Sequence, residues 1–268
     1  MIKLIMSDMD GTLLDENGQL PKGFADIVRQ LRERGVLFAP CSGRQYYSLL
    51  ETFKGYEDEF LFFAENGTMV RYHDRELFSS TMRRSLGIQA LKSTEQLPQV
   101  YEVFCGKKDA YVLRDKMTES FAAELGKYYT HSAVVDCFED IDDEMIKASF
   151  FDAEGKAGTR IYPVLEKYRG PFQVATSSDY WVDMMNFDIN KGIAIQQVQK
   201  RLRISPMECA AFGDYMNDAE MMSSVYYSFA MDNAHPEIKK LARFRTASNK
   251  EHGVLQGIQK LIDDGLCG

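Results

Sequence analysis

Two stretches of this chain share one rhythm: a short buried apolar run, then a segment with helical spacing, then another apolar run. Ile2 to Ser7 is rich in β-formers and reads as a buried strand. Lys22 to Arg34 places Phe24, Ile27, Val28 and Leu31 at helical spacing, and Gly35 supplies the stop. Val36 to Ala39 is a second strand, Arg44 to Phe53 a second helix and Phe60 to Ala64 a third strand. Strand–helix–strand order implies right-handed crossovers and a parallel sheet covered by helices. The rhythm resumes late in the chain, with a helix from Lys191 to Leu202, a strand at Glu208 to Phe212 and a helix from Asn217. A strand at Tyr226 to Met231 and a helix at Gly253 to Ile262 close it.

Between these stretches the pattern changes. Thr68 to Ser80 reads as a hairpin around His73-Asp74. A helix follows from about Met82, then strands at Val100 to Cys105 and Asp109 to Leu113, and a helix at Met117 to Tyr128. Strands near Ala133 to Cys137 and at Met145 to Phe151 precede a helix interrupted by Pro163, and strands at Phe172 to Ala175 and Tyr180 to Met185 end the region. Adjacent strand pairs separated by helices predict an α+β layer with an antiparallel sheet. The expected fold class is therefore α/β: a Rossmann-like parallel-sheet core from residues 1–81 and 187–268, with an α+β domain, 82–186, inserted in its middle.

Composition narrows the function. Of 268 residues, 40 are acidic and 32 basic, a formal charge of −8, which argues against a dedicated nucleic-acid surface. The five cysteines are odd in number and contain no C-x-x-C pair, and the four histidines are scattered, so neither a disulfide framework nor a structural zinc site is expected. The N-terminal apolar run reaches Asp8 too soon for a signal peptide, and no apolar run approaches the ~20 residues needed to span a bilayer. A cytoplasmic protein without a membrane or nucleic-acid partner is expected; the sequence does not indicate its oligomeric state.

Four strings at strand-to-helix edges carry chemistry. Asp8-Met9-Asp10-Gly11-Thr12-Leu13 sets two carboxylates one residue apart after the first strand, where open α/β sheets bind ligands. A hard cation such as Mg²⁺ would relieve their repulsion, and Gly11 lets main-chain N–H groups turn toward an anion. The alternative is an acidic turn that merely ends a strand. Cys41-Ser42-Gly43-Arg44 offers a hydroxyl and free amides at a helix entrance, or simply an N-cap at Ser42. Asn190-Lys191-Gly192 offers an ammonium for a phosphate, although a lone lysine is ordinarily solvent-exposed. Gly213-Asp214-Tyr215-Met216-Asn217-Asp218 offers two further carboxylates and a carboxamide, or a helix entrance capped by Asp214. As a set, the strings supply carboxylates for a cation and hydroxyl, amide and ammonium groups for an anion.

With these strings in this order, the sequence resembles the haloacid dehalogenase superfamily of phosphohydrolases, in its Cof-type branch. The resemblance spans essentially the whole chain and includes Glu65-Asn66-Gly67 after the third strand. Met231-Asp232-Asn233-Ala234 matches the family's M-G-N-A with Asp232 for glycine, and Asp188-Ile189-Asn190 replaces the commoner G-V-S before the lysine. The resemblance implies Asp8 as the nucleophile that forms an aspartyl-phosphate and Asp10 as the acid/base. It implies Mg²⁺ held by Asp8, the main-chain carbonyl of Asp10 and Asp214, with Asp218 in support. Ser42, Gly43, Lys191 and Asn217 would bind the phosphoryl group of a small phosphorylated metabolite, a sugar phosphate or cofactor phosphate. The inserted domain would be a mobile cap that selects the leaving group. Its Tyr101, Tyr111, Tyr180 and Trp181 would line an entrance or, as aromatics at strand spacing ordinarily do, fill a core. The same aspartate pair would serve a phosphomutase, and a non-catalytic phospho-accepting module is the remaining alternative.

Overall fold

The computed structural model describes residues 1–73 and 75–268. It separates into two compact units: unit 1, Met1–Phe78 with Asn190–Gly268, and unit 2, Ser79–Ile189.

The chain opens with β1 (Leu4–Ser7), α1 (Phe24–Glu33), β2 (Leu37–Pro40), α2 (Tyr46–Thr52) and β3 (Leu61–Ala64), then β4 (Met69–Tyr72) and β5 (Arg75–Ser79). Asp74, in the expected hairpin turn, lies outside the described residues. Then come α3 (Arg84–Lys92), β6 (Val100–Gly106), β7 (Ala110–Leu113), α4 (Glu119–Leu125), β8 (Ser132–Val135), β9 (Met145–Asp152), α5 (Ala157–Arg160), α6 (Tyr162–Leu165), β10 (Phe172–Thr176) and β11 (Trp181–Asn186). The last part holds α7 (Lys191–Leu202), β12 (Cys209–Gly213), α8 (Ala219–Ser224), β13 (Tyr227–Ala230), α9 (Pro236–Leu241), β14 (Phe244–Arg245) and α10 (Gly253–Asp263).

Unit 1 is built on a parallel sheet in the order β14-β13-β12-β1-β2. β1, β2, β12 and β13 are short, largely apolar and largely buried, as a sheet covered on both faces requires, while the edge strand β14 is exposed. Helix α1 buries Phe24, Ile27, Val28 and Leu31, the stripe expected from its spacing. Phe24, Phe38, Phe53 and Phe60 pack at ring separations of 5.0–6.5 Å, mostly edge to face, beneath it. β3 joins β2 only through a parallel bridge from Cys41 to Phe63, and pairs antiparallel with β4 instead. Ser42 N–H donates to the Phe63 carbonyl at 3.0 Å, so Pro40, two residues earlier, would have to donate on that same side. It has no N–H to give, and the ladder stops there.

Strand order reverses at β1. The chain passes from β1 to β2 on one side and returns to β12 on the other, and the crevice at such a switch point is where these sheets bind ligands. The register pairs Ser7 with both Phe212 and Pro40, so Asp8 stands level with Gly213 at the carboxyl edge.

Unit 2 is a six-stranded sheet, β10-β11-β9-β6-β7-β8, with two apolar clusters. Alternation divides them: Phe104, Ala148, Phe150, Val182 and Met184 go to one cluster, Val103, Cys105, Phe151 and Trp181 to the other. The pairing is antiparallel except between β7 and β8, where α4 makes the crossover that a parallel pair needs. Tyr101 and Trp181 are buried, Tyr101 stacked on Phe121 at 4.4 Å and Trp181 against Phe151 at 5.0 Å; they belong to the core. Tyr180 is exposed, and the half-buried Tyr111 donates its hydroxyl to Asp143 at 3.2 Å. The helix expected around Pro163 is two helices, α5 and α6, parted at Ile161, with the proline in the first turn of the second where its missing N–H costs nothing. Among the described residues, no helix is long and apolar enough to cross a membrane.

Candidate active site

Asp8 leaves β1 with its amide still donating to the Phe212 carbonyl at 3.0 Å. The chain then enters a wide turn, Met9–Leu13, closed by Leu13 N–H onto the Asp8 carbonyl at 3.2 Å. The turn is possible because Gly11 adopts φ 79°, a left-handed value in which a Cβ would also collide with the Asp214 carboxylate. Thr12, next in line, donates its hydroxyl to Asp214 at 2.8 Å across 202 residues of sequence. Asn233 Nδ2 holds the Gly11 carbonyl at 2.7 Å, so the Met231–Ala234 string braces the turn from outside.

Lys191 lies at the start of α7, whose N-cap is Asn190: its side chain accepts from Ile193 N–H at 2.9 Å, the work a serine does at such a position. The lysine is fully buried. Its ammonium donates to Asp8 Oδ1 at 2.5 Å and to Asp218 Oδ1 at 2.7 Å. The other oxygen of Asp218 accepts the amides of Asp214 at 3.0 Å and Tyr215 at 3.3 Å, so Asp218, not Asp214, organises that turn. Ser42 is buried but does not cap α2, which begins at Tyr46 with Gln45 as its N-cap.

Asp8, Asp214 and Asp218 each offer a carboxylate oxygen within 4.8 Å of the others. One ammonium faces three carboxylates, and the charge does not balance. Burial pushes the Asp8 carboxyl up to about 8, against the pull of Lys191 and with help from Asp218 and Asp214. Burial also raises Asp214, to about 6, while the Thr12 hydroxyl resists. Burial works against the Lys191 charge too, but Asp218 and Asp8 outweigh it and raise its pKa. The neighbouring Cys41 thiol is pushed up to about 12 by burial and is no nucleophile. An all-oxygen donor set short of positive charge, at a sheet's carboxyl edge, fits a hard divalent cation.

Asp10 stands apart. Its side chain is 61% exposed and is gripped by Arg44, Nε to Oδ2 at 2.9 Å and an Nη to Oδ1 at 2.5 Å. Asn217 is exposed and donates Nδ2 to Asn66 Oδ1 at 3.4 Å. Thr12, Arg44, Asn66 and Asn233 therefore join the site, although the sequence assigned them no role; all four lie inside strings already singled out.

Comparison with known proteins places this geometry. The family model for haloacid dehalogenase-like hydrolases matches residues 5–258. The chain belongs to that family. Among its haloacid dehalogenase-like relatives is the Escherichia coli 5-amino-6-(5-phospho-D-ribitylamino)uracil phosphatase YbjI, 30% identical over 263 residues, covering 97% of this chain and 96% of that protein. Phosphatase YwpJ of Bacillus subtilis is 25% identical over 289 residues, covering 97% of this chain and all of its own length, 100%. A crystal structure of a Streptococcus mutans UA159 protein superposes with a TM-score of 0.84 at 27% identity, over 98% of this chain and 100% of that one. The protein is a haloacid dehalogenase-type phosphatase of the Cof branch.

Proposed function

We propose that this phosphatase hydrolyses phosphate monoesters of small metabolites through an aspartyl-phosphate on Asp8, with Mg²⁺ as its cofactor. The Asp8–Asp214–Asp218 cluster around the buried Lys191 carries the reading. In the first step an Asp8 oxygen attacks phosphorus, the ester P–O bond breaks, and Asp10 gives a proton to the departing alkoxide. In the second, Asp10 as carboxylate takes a proton from a water that attacks the same phosphorus. The acyl-phosphate bond then breaks, phosphate leaves, and both aspartates are restored. Ser42, Gly43, Lys191 and Asn217 hold the phosphoryl oxygens, and Arg44 orients Asp10 through its two hydrogen bonds. Mg²⁺ would be held by Asp8, the Asp10 main-chain carbonyl and Asp214, with Asp218 beside them, and would supply charge neutralisation between carboxylates and phosphate. The inserted region, residues 82–186, is the cap that selects the leaving group.

The test is release of inorganic phosphate from a panel of monoesters, with Mg²⁺ or with EDTA. The panel includes para-nitrophenyl phosphate, hexose phosphates and the phosphoribitylamino-uracil for which YbjI is named. Activity is expected only with the metal, and Asp8→Asn abolishes it. Hydrolysis persisting in Asp8→Asn removes the nucleophile, and an isomerised hexose phosphate in place of free phosphate marks a mutase.

A further inference from the structure

We infer that the Glu65-Asn66-Gly67 turn is the positioning element that sets the phosphate-binding groups in register, with Asn66 acting on Asn217; this deepens, and rests on, the phosphatase reading above. The backbone states the case first. Glu65, Asn66 and Gly67 are all left-handed, with φ of 51°, 55° and 92°. Among the described residues, no other two non-glycine residues of positive φ adjoin. Such residues persist only where their surroundings hold them.

What the turn touches gives the strain its purpose. Glu65 N–H donates to the Arg44 carbonyl at 3.0 Å and Asn66 N–H to the Ser42 carbonyl at 2.9 Å, so two strained residues pin both ends of the Ser42–Arg44 loop. Gly67 presses on the start of α7: a Cβ there would stand 2.7 Å from the Asn190 carbonyl oxygen and 2.9 Å from the Ala194 methyl. The Asn66 carboxamide lies against Gly43, its Nδ2 and Oδ1 each 3.1 Å from where a Cβ would be, and its Oδ1 accepts from Asn217. One three-residue turn thus meets the loop bearing the hydroxyl and amides, the helix bearing the ammonium, and the carboxamide of the last motif. Those three strings come from positions 42–44, 190–194 and 217, and nothing local in sequence would hold them together. Asn66 is a positioning residue: its carboxamide reaches the reaction through Asn217, while the backbone amides of Glu65 and Asn66, which a side-chain change leaves in place, hold the Ser42–Arg44 loop.

The decisive variant is Asn66→Gly, which keeps the left-handed backbone and removes only the carboxamide. With para-nitrophenyl phosphate and Mg²⁺, kcat is expected to fall about 100-fold, the scale of a 1 Å misplacement of reacting groups, with KM changing less than about threefold. In an Asn217→Ala background the same change is expected to lower kcat by less than about threefold, because its route is already cut. Orthovanadate, a transition-state mimic, is titrated in a Mg²⁺-dependent thermal shift and is expected to lose affinity by the same factor as kcat, a readout that needs no turnover. Asn66→Asp, which tolerates the left-handed backbone and keeps an accepting oxygen, is the second variant should glycine fail to fold; it retains vanadate binding above that of Asn66→Ala. Full kcat and vanadate affinity in Asn66→Gly, or losses that multiply with Asn217→Ala, overturn the inference alone. A wild type that binds vanadate but releases no phosphate overturns the phosphatase reading and leaves the vanadate comparison to judge the turn.

Discussion

Replacing Lys191 by methionine is the most severe single electrostatic perturbation the site admits. The ammonium is fully buried and holds two carboxylates at 2.5 and 2.7 Å, with a third close by. Methionine fills much of the volume, so the cost is charge and not cavity. Breaking a buried pair from one side costs about 3–5 kcal/mol, because it leaves the partner charge uncompensated. At about 2–4 °C per kcal/mol for a chain of this size, the melting temperature in EDTA at pH 8 drops on the order of 10 °C. The sign with pH follows from the carboxyls. Asp8 and Asp214, already raised above the unfolded value of 3.8, lose the pull of Lys191 in the variant, so the folded state takes up protons more readily. Stability of the variant therefore falls as pH rises, and at pH 5 protons do part of the work of the lost ammonium. Urea unfolding of both proteins at pH 5 and pH 8 in EDTA measures this. A loss under about 1 kcal/mol at pH 8, or an equal loss at both pH values, would show that the ammonium does not hold the cluster together.

Three further outcomes follow from particular contacts. Mg²⁺ competes with the protons that burial holds on Asp214, to about 6, and Asp8, to about 8, so its affinity rises from pH 5 to pH 8 and then levels; calorimetry in buffers of different ionisation enthalpy reads the released protons, and a pH-independent affinity would refute it. Gly11→Ala forces a methyl onto the Asp214 carboxylate at φ 79°, and is expected to cost about 1–2 kcal/mol in denaturant unfolding and about 100-fold in kcat/KM. Glu102, buried in unit 2 with Thr94 donating to it at 2.8 Å, is raised by burial from 4.5 to about 7, so its ionisation costs the folded state up to about 3 kcal/mol as pH climbs through that window. Glu102→Gln keeps the acceptor for Thr94 and is expected to stabilise by about 1–2 kcal/mol at pH 8, less than the full amount because Lys116 loses a partner, and by nothing at pH 4; equal melting shifts at both pH values would contradict the assignment.

The rhythm of short apolar runs and helical stripes was enough to read the parallel sheet, since β1, β2 and β12 are buried on both faces and carry almost no polar residue. The chemistry-bearing strings were readable because each stands at the end of such a strand or the start of a helix. What sequence could not show is pairing across distance. Thr12 meets Asp214 across 202 residues, and no local pattern announces it. Lys191 stood out in its string as an ammonium for a phosphate, but its full burial between Asp8 and Asp218 could not be read, because that depends on carboxylates delivered by other parts of the chain. Asn66-Gly67 ordinarily signals a hairpin turn, and only the contacts of its neighbours show that it closes onto the Ser42–Arg44 loop instead. Helix α9 was missed although Pro236 stands in its first turn, because six residues are too few to display a period.

The charge imbalance also orders events at the site. On the proposed function, a phosphate monoester would bring negative charge to a site where one ammonium holds Asp8 and Asp218, with Asp214 close by. As the proposed nucleophile, Asp8 would have to be ionised to attack, yet burial favours its protonated form. Both difficulties have the same remedy, a second positive centre beside Asp8 and Asp214, which lowers the nucleophile's pKa and reduces repulsion of the ester. The proposed mechanism therefore predicts that the cation binds before the substrate, because without it burial favours the protonated form of the nucleophile. Arg44 does not relieve this, since both of its hydrogen bonds here are spent on Asp10. The division is chemically useful. In the proposed mechanism Asp8, which must stay anionic, would share the metal and the lysine, while Asp10, which would gain and lose a proton, sits in contact with water, 61% exposed, on an arginine that fixes its direction.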